Sequence, residues 1–130
     1  MSGRGLVLDA GALISLESKP RGRVFTACRD ALDAGEMALL PTVVLAQVWR
    51  ASPRQAPLAM LRRMCKALPF TEDVAEAVGR LLALSGTADV VDAAVVIAAL
   101  SHGGIVLTSD PGDLRKLADA VGVALPLVVV

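Results

Sequence analysis

Short apolar runs of strand type alternate along this chain with longer segments of helical periodicity, and several runs end in aspartate. Leu6-Val7-Leu8 closes on Asp9, Asp89 and Asp92 open the apolar stretch from Val90 to Leu100, and Asp110 and Asp113 follow Ile105-Val106-Leu107-Thr108. Strand–helix alternation of this kind predicts an α/β fold, with a parallel sheet covered by helices on both faces. In such sheets ligands collect outside the carboxyl ends of the strands. Asp9 and Asp110 fall at those ends. A carboxylate there has lost much of its water and needs a compensating partner, and no basic residue lies beside these strand ends to supply one.

The elements expected from periodicity and punctuation follow in order. Leu6 to Leu8 reads as a strand, and Ala10–Glu17 and Val24–Ala34 as helices separated by the turn Pro20-Arg21-Gly22. Met37–Leu40 is a second strand, and a helix starts at Pro41-Thr42 and runs through Arg50. Pro53 and Pro57 bracket a break. Leu58–Ala67 then reads as helix and Leu68-Pro69-Phe70 as a short extended piece. Thr71 caps a helix towards Leu84, with Glu72 and Asp73 in its first turn. Asp89 or Thr87 starts the next, which runs to about Ser101 and stops at Gly103-Gly104. Ile105–Thr108 is a strand, Pro111–Val121 a helix, and Ala124–Val130 a last strand. This gives four to five strands in one domain of 130 residues, a size that buries a substantial core.

Bulk properties exclude several classes. Hydrophobic content is 55%, yet the longest apolar stretch is far short of the roughly 20 residues that span a bilayer. The N-terminus has only three apolar residues before Asp9, unlike a signal peptide. Cys28 and Cys65 match no metal spacing and read as reduced, packed thiols of a cytoplasmic protein. With only Phe25, Phe70 and Trp49 as aromatics, a stacking platform for single-stranded nucleic acid is not expected. Net charge is zero, but no Asp or Glu occurs from Met37 to Thr71, where Arg50, Arg54, Arg62, Arg63 and Lys66 all fall. A basic arm beside an acidic centre suits a phosphate backbone held against metal ions. Charge alone is equally compatible with a solvated face or a protein-binding surface.

The acids differ in how much a structural role would explain. Asp89 can serve as an N-cap, Asp113 as a first-turn residue, and Asp110-Pro111 as a turn and cap. Asp9 and Asp92 sit at no obvious turn and are flanked by apolar residues. Asp89 and Asp92, three apart, share one helix face. A carboxylate in an otherwise Val, Ala, Ile and Leu helix is costly unless a cation compensates it. Hard cations such as Mg²⁺ and Mn²⁺ take oxygen ligands, and phosphodiester hydrolysis is the chemistry they would serve. His102, before Gly103-Gly104, is placed to bond helix C-terminal carbonyls.

Leu6-Val7-Leu8-Asp9-Ala10-Gly11-Ala12-Leu13-Ile14, Asp89-Val90-Val91-Asp92-Ala93 and Leu107-Thr108-Ser109-Asp110-Pro111-Gly112-Asp113-Leu114 together resemble the PIN domain, and more narrowly the VapC-type toxins of bacterial toxin–antitoxin pairs. The resemblance spans nearly the whole chain. It implies a three-layer PIN-like sandwich and an acidic pocket for Mg²⁺ or Mn²⁺. It also implies endoribonuclease activity on single-stranded RNA that inhibits translation, a homodimer, and a cognate VapB-like antitoxin. Asp9 matches the family's first acid, Asp92 the third and Asp110 the acid of the Thr-x-Asp segment, with Asp113 close by and Asp89 in support. The family's second acid, usually Glu, has Gln47 in its place. An amide can offer an oxygen but brings no charge. Arg50, Arg54 and Arg62 are the candidates for gripping an RNA backbone.

Two other readings follow from the same residues. Gln47 favours a PIN-like domain that cleaves weakly and acts as an RNA- or protein-binding module. A receiver-like phosphoacceptor also gathers aspartates at strand ends. Such domains pair two acids after the first strand and need a late Lys, whereas Asp9 stands alone and Lys116 follows no strand.

Overall fold

The computed structural model describes residues 5–130. Strands β1 (Leu6–Leu8), β2 (Ala38–Pro41), β3 (Cys65–Leu68), β4 (Ile105–Thr108) and β5 (Leu127–Val129) form one sheet of order β3-β2-β1-β4-β5. Every pairing is parallel. The seven α-helices among the described residues are α1 (Ala10–Ser18), α2 (Arg23–Asp33), α3 (Thr42–Val48), α4 (Ala56–Leu61), α5 (Glu72–Ser85), α6 (Val90–His102) and α7 (Pro111–Ala120). Helix α1 packs against α2, α3 and α4, while α5, α6 and α7 pack on one another. The expected α/β sandwich with a covered parallel sheet is the observed fold.

The chain fills one side of β1 with β2 and β3, then crosses to the other side for β4 and β5. The carboxyl ends of β1 and β4 therefore flank the point where strand order reverses. A crevice opens at such a point because the connections leave in opposite directions. The core beneath it is apolar and closed: Val7, Leu8, Leu13, Val95 and Val106 are fully buried. No helix among the described residues is long and apolar enough to cross a membrane.

Local sequence explains most helix boundaries. The Asp9 side chain accepts a hydrogen bond from the Ala12 N–H at 2.8 Å and so starts α1. Thr71 does the same for α5 through Val74 at 3.2 Å, with Glu72 and Asp73 in the first turn. Gly103, at φ 63°, ends α6 in the left-handed region open to glycine. Just before it, the His102 imidazole bonds the Ala98 carbonyl one turn back at 3.0 Å, the role expected for it. Cys28 and Cys65 are free and buried, as packed thiols should be.

Four expectations need correction. The helix expected over Leu58–Ala67 starts earlier, at Ala56, and ends at Leu61. A 3₁₀ turn (Arg62–Met64) follows it, and Cys65–Leu68 is the edge strand β3. Lys66, Ala67 and Leu68 all favour helix locally, but pairing with Ala38–Pro41 outweighs that preference. The extended piece expected at Leu68-Pro69-Phe70 thus contributes only Leu68. The helix from Thr42 stops at Val48 rather than Arg50, because Trp49 turns extended. The last strand is shorter than Ala124–Val130.

Gln55 holds the segment after α3. It is 3% exposed, accepts from the Arg50 N–H at 2.7 Å and donates to the Val48 carbonyl at 2.8 Å. It bridges over Ala51, which takes φ 56°. Gln55→Leu would leave both backbone groups unpaired, and we expect a loss of about 1–3 kcal/mol. Thermal unfolding checks this, and an unchanged midpoint would refute the bridging role.

Candidate metal centre

Asp9 is placed by β1 itself. Its N–H continues the β1–β4 ladder to the Leu107 carbonyl at 3.2 Å, and its side chain turns to cap α1. It is 6% exposed. Burial raises its pKa above the ordinary carboxylate value, opposed by the Thr108 hydroxyl and the Ala12 and Gly11 N–H groups, with Asp110 raising it further. Thr108, fully buried at the end of β4, also accepts from the Asp110 N–H at 3.0 Å. One hydroxyl thus ties the turn after β4 to the end of β1.

Asp92 reaches the same crevice from α6. Asp89 caps that helix, its carboxylate accepting from the Asp92 N–H at 2.9 Å, so the capping role open to Asp89 is real. Burial pushes the Asp92 pKa up to about 6, and Asp89, Asp113, Asp9 and Asp110 all add to the rise. These five carboxylates are therefore electrostatic neighbours, brought from β1, α6 and the start of α7. A cleft of about 160 Å³ carries Asp89, Asp92 and Asp113 on its walls. A separate apolar groove of about 240 Å³, lined by Val43, Leu68, Phe70 and Ile97 among others, holds none of them.

No three His, Cys, Asp or Glu side chains among the described residues converge as a finished coordination cage. Asp89, Asp110 and Asp113 are exposed. The donor set is nonetheless all hard oxygen. The one ion pair among the described residues, Arg80–Glu76, lies outside it. Partly desolvated carboxylates that pair with no basic side chain among the described residues fit a divalent cation such as Mg²⁺ or Mn²⁺.

The remaining expected site residues fall elsewhere. Gln47 is exposed on α3, its side chain makes no hydrogen bond among the described residues, and it does not line the cleft. Helix α3 does pack on α1 and α6, the helices that follow Asp9 and carry Asp92. Arg50, Arg54 and Arg62 are exposed. Arg50 bonds the Ala46 and Trp49 carbonyls at 3.3 and 2.7 Å, and Arg62 stacks on Trp49 at 5.1 Å from the ring centre. None of the three lines the acidic cleft.

Sequence reasoning missed three neighbours of the site. Thr108 was legible as part of Thr-x-Asp but not as the hydroxyl beside Asp9. Gly11 lies against Ser109, and that contact has no sequence signal. Lys116 lines the cleft one turn beyond Asp113, a placement that only the packing of α7 reveals.

A parallel α/β sandwich with acids at its switch point defines the class, and the comparisons narrow it. The PIN domain family model matches residues 6–120. The chain belongs to the PIN domain family. No curated protein matches it by sequence. Among solved structures it is similar to VapBC2 from Rickettsia felis bound to a promoter DNA fragment, with a TM-score of 0.72 and 13% identity over 96% of this chain and 98% of that one. DNA-bound VapBC from Salmonella typhimurium gives a TM-score of 0.66 and 18% identity, covering 98% of each chain. FitAcB from Neisseria gonorrhoeae gives 0.61 and 17%, covering 94% of this chain and 95% of that one.

Proposed function

We propose that this protein is a metal-dependent endoribonuclease and the toxin of a VapBC-type toxin–antitoxin pair, cutting RNA phosphodiester bonds so that translation stops. The observation that carries the reading is the pair Asp9 and Asp92, desolvated at the switch point with no cation to compensate them. Membership of the PIN family supports a nuclease. The VapBC complexes of the same fold support a VapB-like antitoxin as partner. A cytoplasmic homodimer completes the proposal.

In this reading Asp9, Asp92 and Asp110 hold the ion, with Asp113 and Asp89 in support. Bound there, Mg²⁺ or Mn²⁺ would supply the Lewis acidity that eases attack of water on a phosphate. Thr108 orients Asp9, and Asp89 fixes the first turn of α6 so that Asp92 faces the crevice. Arg50, Arg54 and Arg62 contribute general attraction for the RNA backbone.

A second reading rests on Gln47, whose uncharged, exposed side chain leaves the site one carboxylate short and favours a weakened domain that binds RNA or protein. Incubating purified protein and single-stranded RNA with Mn²⁺ or with EDTA separates the two. We expect cleavage products in Mn²⁺ and none in EDTA. RNA retained without products in either buffer would favour the binding module.

A further inference from the structure

The acidic cleft has one basic wall. Lys116 lies one turn beyond Asp113 on α7, and both line the cleft with Asp89 and Asp92. Leu114 and Leu117, buried on the inner side of α7, fix the rotation of the helix and so the direction in which Lys116 leaves it. Its side chain is exposed and pairs with no carboxylate among the described residues. Four carboxylates raise Asp92, and no cation figures among the influences on it. Lys116 therefore forms no ion pair with these acids. It is an exposed positive charge on the wall of a negative site.

A cluster of carboxylates repels a polyanion, so an RNA strand entering this cleft needs a positive contact on the way in. Lysine suits that task as a point charge on a long stem, able to follow a phosphate without fixed geometry. The three arginines of the basic arm lie outside the cleft and do not supply it. We propose that Lys116 is the phosphate-binding residue of the cleft, its ammonium holding an oxygen of the RNA phosphodiester that lies beside the carboxylates. This rests on the nuclease reading above and adds the group that seats the substrate.

Lys116→Met keeps the stem and removes the charge, and Lys116→Arg keeps the charge. Affinity for a fluorescent single-stranded RNA, followed by anisotropy over a KCl series in EDTA, should fall about tenfold in Lys116→Met. It should fall uniformly across RNA sequences, and the slope of log affinity against log salt should become shallower by about 0.7. Cleavage in Mn²⁺ should fall in parallel, Mn²⁺ affinity measured without RNA should stay unchanged, and Lys116→Arg should recover most of the loss. Wild-type RNA affinity and salt slope in Lys116→Met would overturn the proposal. So would a changed Mn²⁺ affinity, because Lys116 would then act on the carboxylates. Wild-type protein that binds RNA without cutting it would sink the nuclease reading alone, and the affinity comparison would still decide Lys116.

Discussion

Asp92→Asn is expected to abolish metal-dependent RNA cleavage while making the metal-free fold more stable at neutral pH. Removing one charged group from a site that works by stabilising transition-state charge costs at least about 10²-fold in rate. The stability effect has the opposite sign because Asp92 resists ionisation in the folded protein, its pKa standing at about 6 against an ordinary 3.8. Below the lower value both states are protonated and the residue carries no cost. Between the two the unfolded chain has released a proton that the folded chain keeps, so stability falls as pH rises. Above about 6 the full cost is present.

A shift of that size corresponds to at most about 3 kcal/mol, and to roughly 1–2 kcal/mol once solvent screening of a half-buried group is allowed for. Asparagine has no charge to bury. In EDTA at about pH 7.5 its unfolding midpoint should exceed that of the wild type by roughly 3–6 °C, and the gain should fade as the pH falls towards the ordinary carboxylate value. A lower midpoint for Asp92→Asn at neutral pH would mean that the carboxylate stabilises the metal-free fold, contrary to its raised pKa.

Gly11→Ala should cost activity far more than stability. A Cβ at this position would stand 1.8 Å from Ser109 Oγ, 3.0 Å from Ser109 Cβ and 3.4 Å from its backbone nitrogen. Rotating the serine hydroxyl relieves the first contact but not the second. The turn between Thr108 and Asp110 must therefore shift by a few tenths of an ångström, and Asp110 shifts with it. The overpacking costs about 1–2 kcal/mol, offset by alanine's better helix propensity of about 1 kcal/mol.

Activity has no such offset, since small displacements of catalytic groups can cost up to about 10²-fold. Ser109→Gly removes both clashing atoms and leaves only the 3.4 Å approach to the nitrogen. The double variant Gly11→Ala, Ser109→Gly should regain the activity of Ser109→Gly alone. Additive losses in that cycle would show that the two residues do not act through one contact.

How far the sequence could be read follows from where each signal resides. β1 and β4 have the bounds expected for them, because each is a short apolar run stopped by a polar residue. The start of α6 was readable as a cap on Asp89, and Asp92 stood out as a charge within an apolar helix. β3 was hidden. Its residues favour helix, and it becomes a strand only through pairing with β2, a partner distant in the chain whose register no local pattern encodes. The same limit applies at the site. Asp9, Asp92 and Asp110 could be nominated one by one from their neighbours in sequence. That Gly11 meets Ser109, that Gln55 bridges Val48 and Arg50, and that Lys116 shares a cleft with Asp89 all depend on tertiary packing. Gln47 shows the reverse case. Its identity was visible at once, but its exposure and its place away from the cleft walls were not.

Asp9 and Asp92 belong, on this account, to a divalent-cation site, and calorimetric titration of Mn²⁺ into the purified protein without RNA tests that most directly. The wild type should bind with a measurable isotherm, and Asp92→Asn should lose most of that affinity while remaining folded. An Asp92→Asn isotherm superimposable on that of the wild type would contradict the claim.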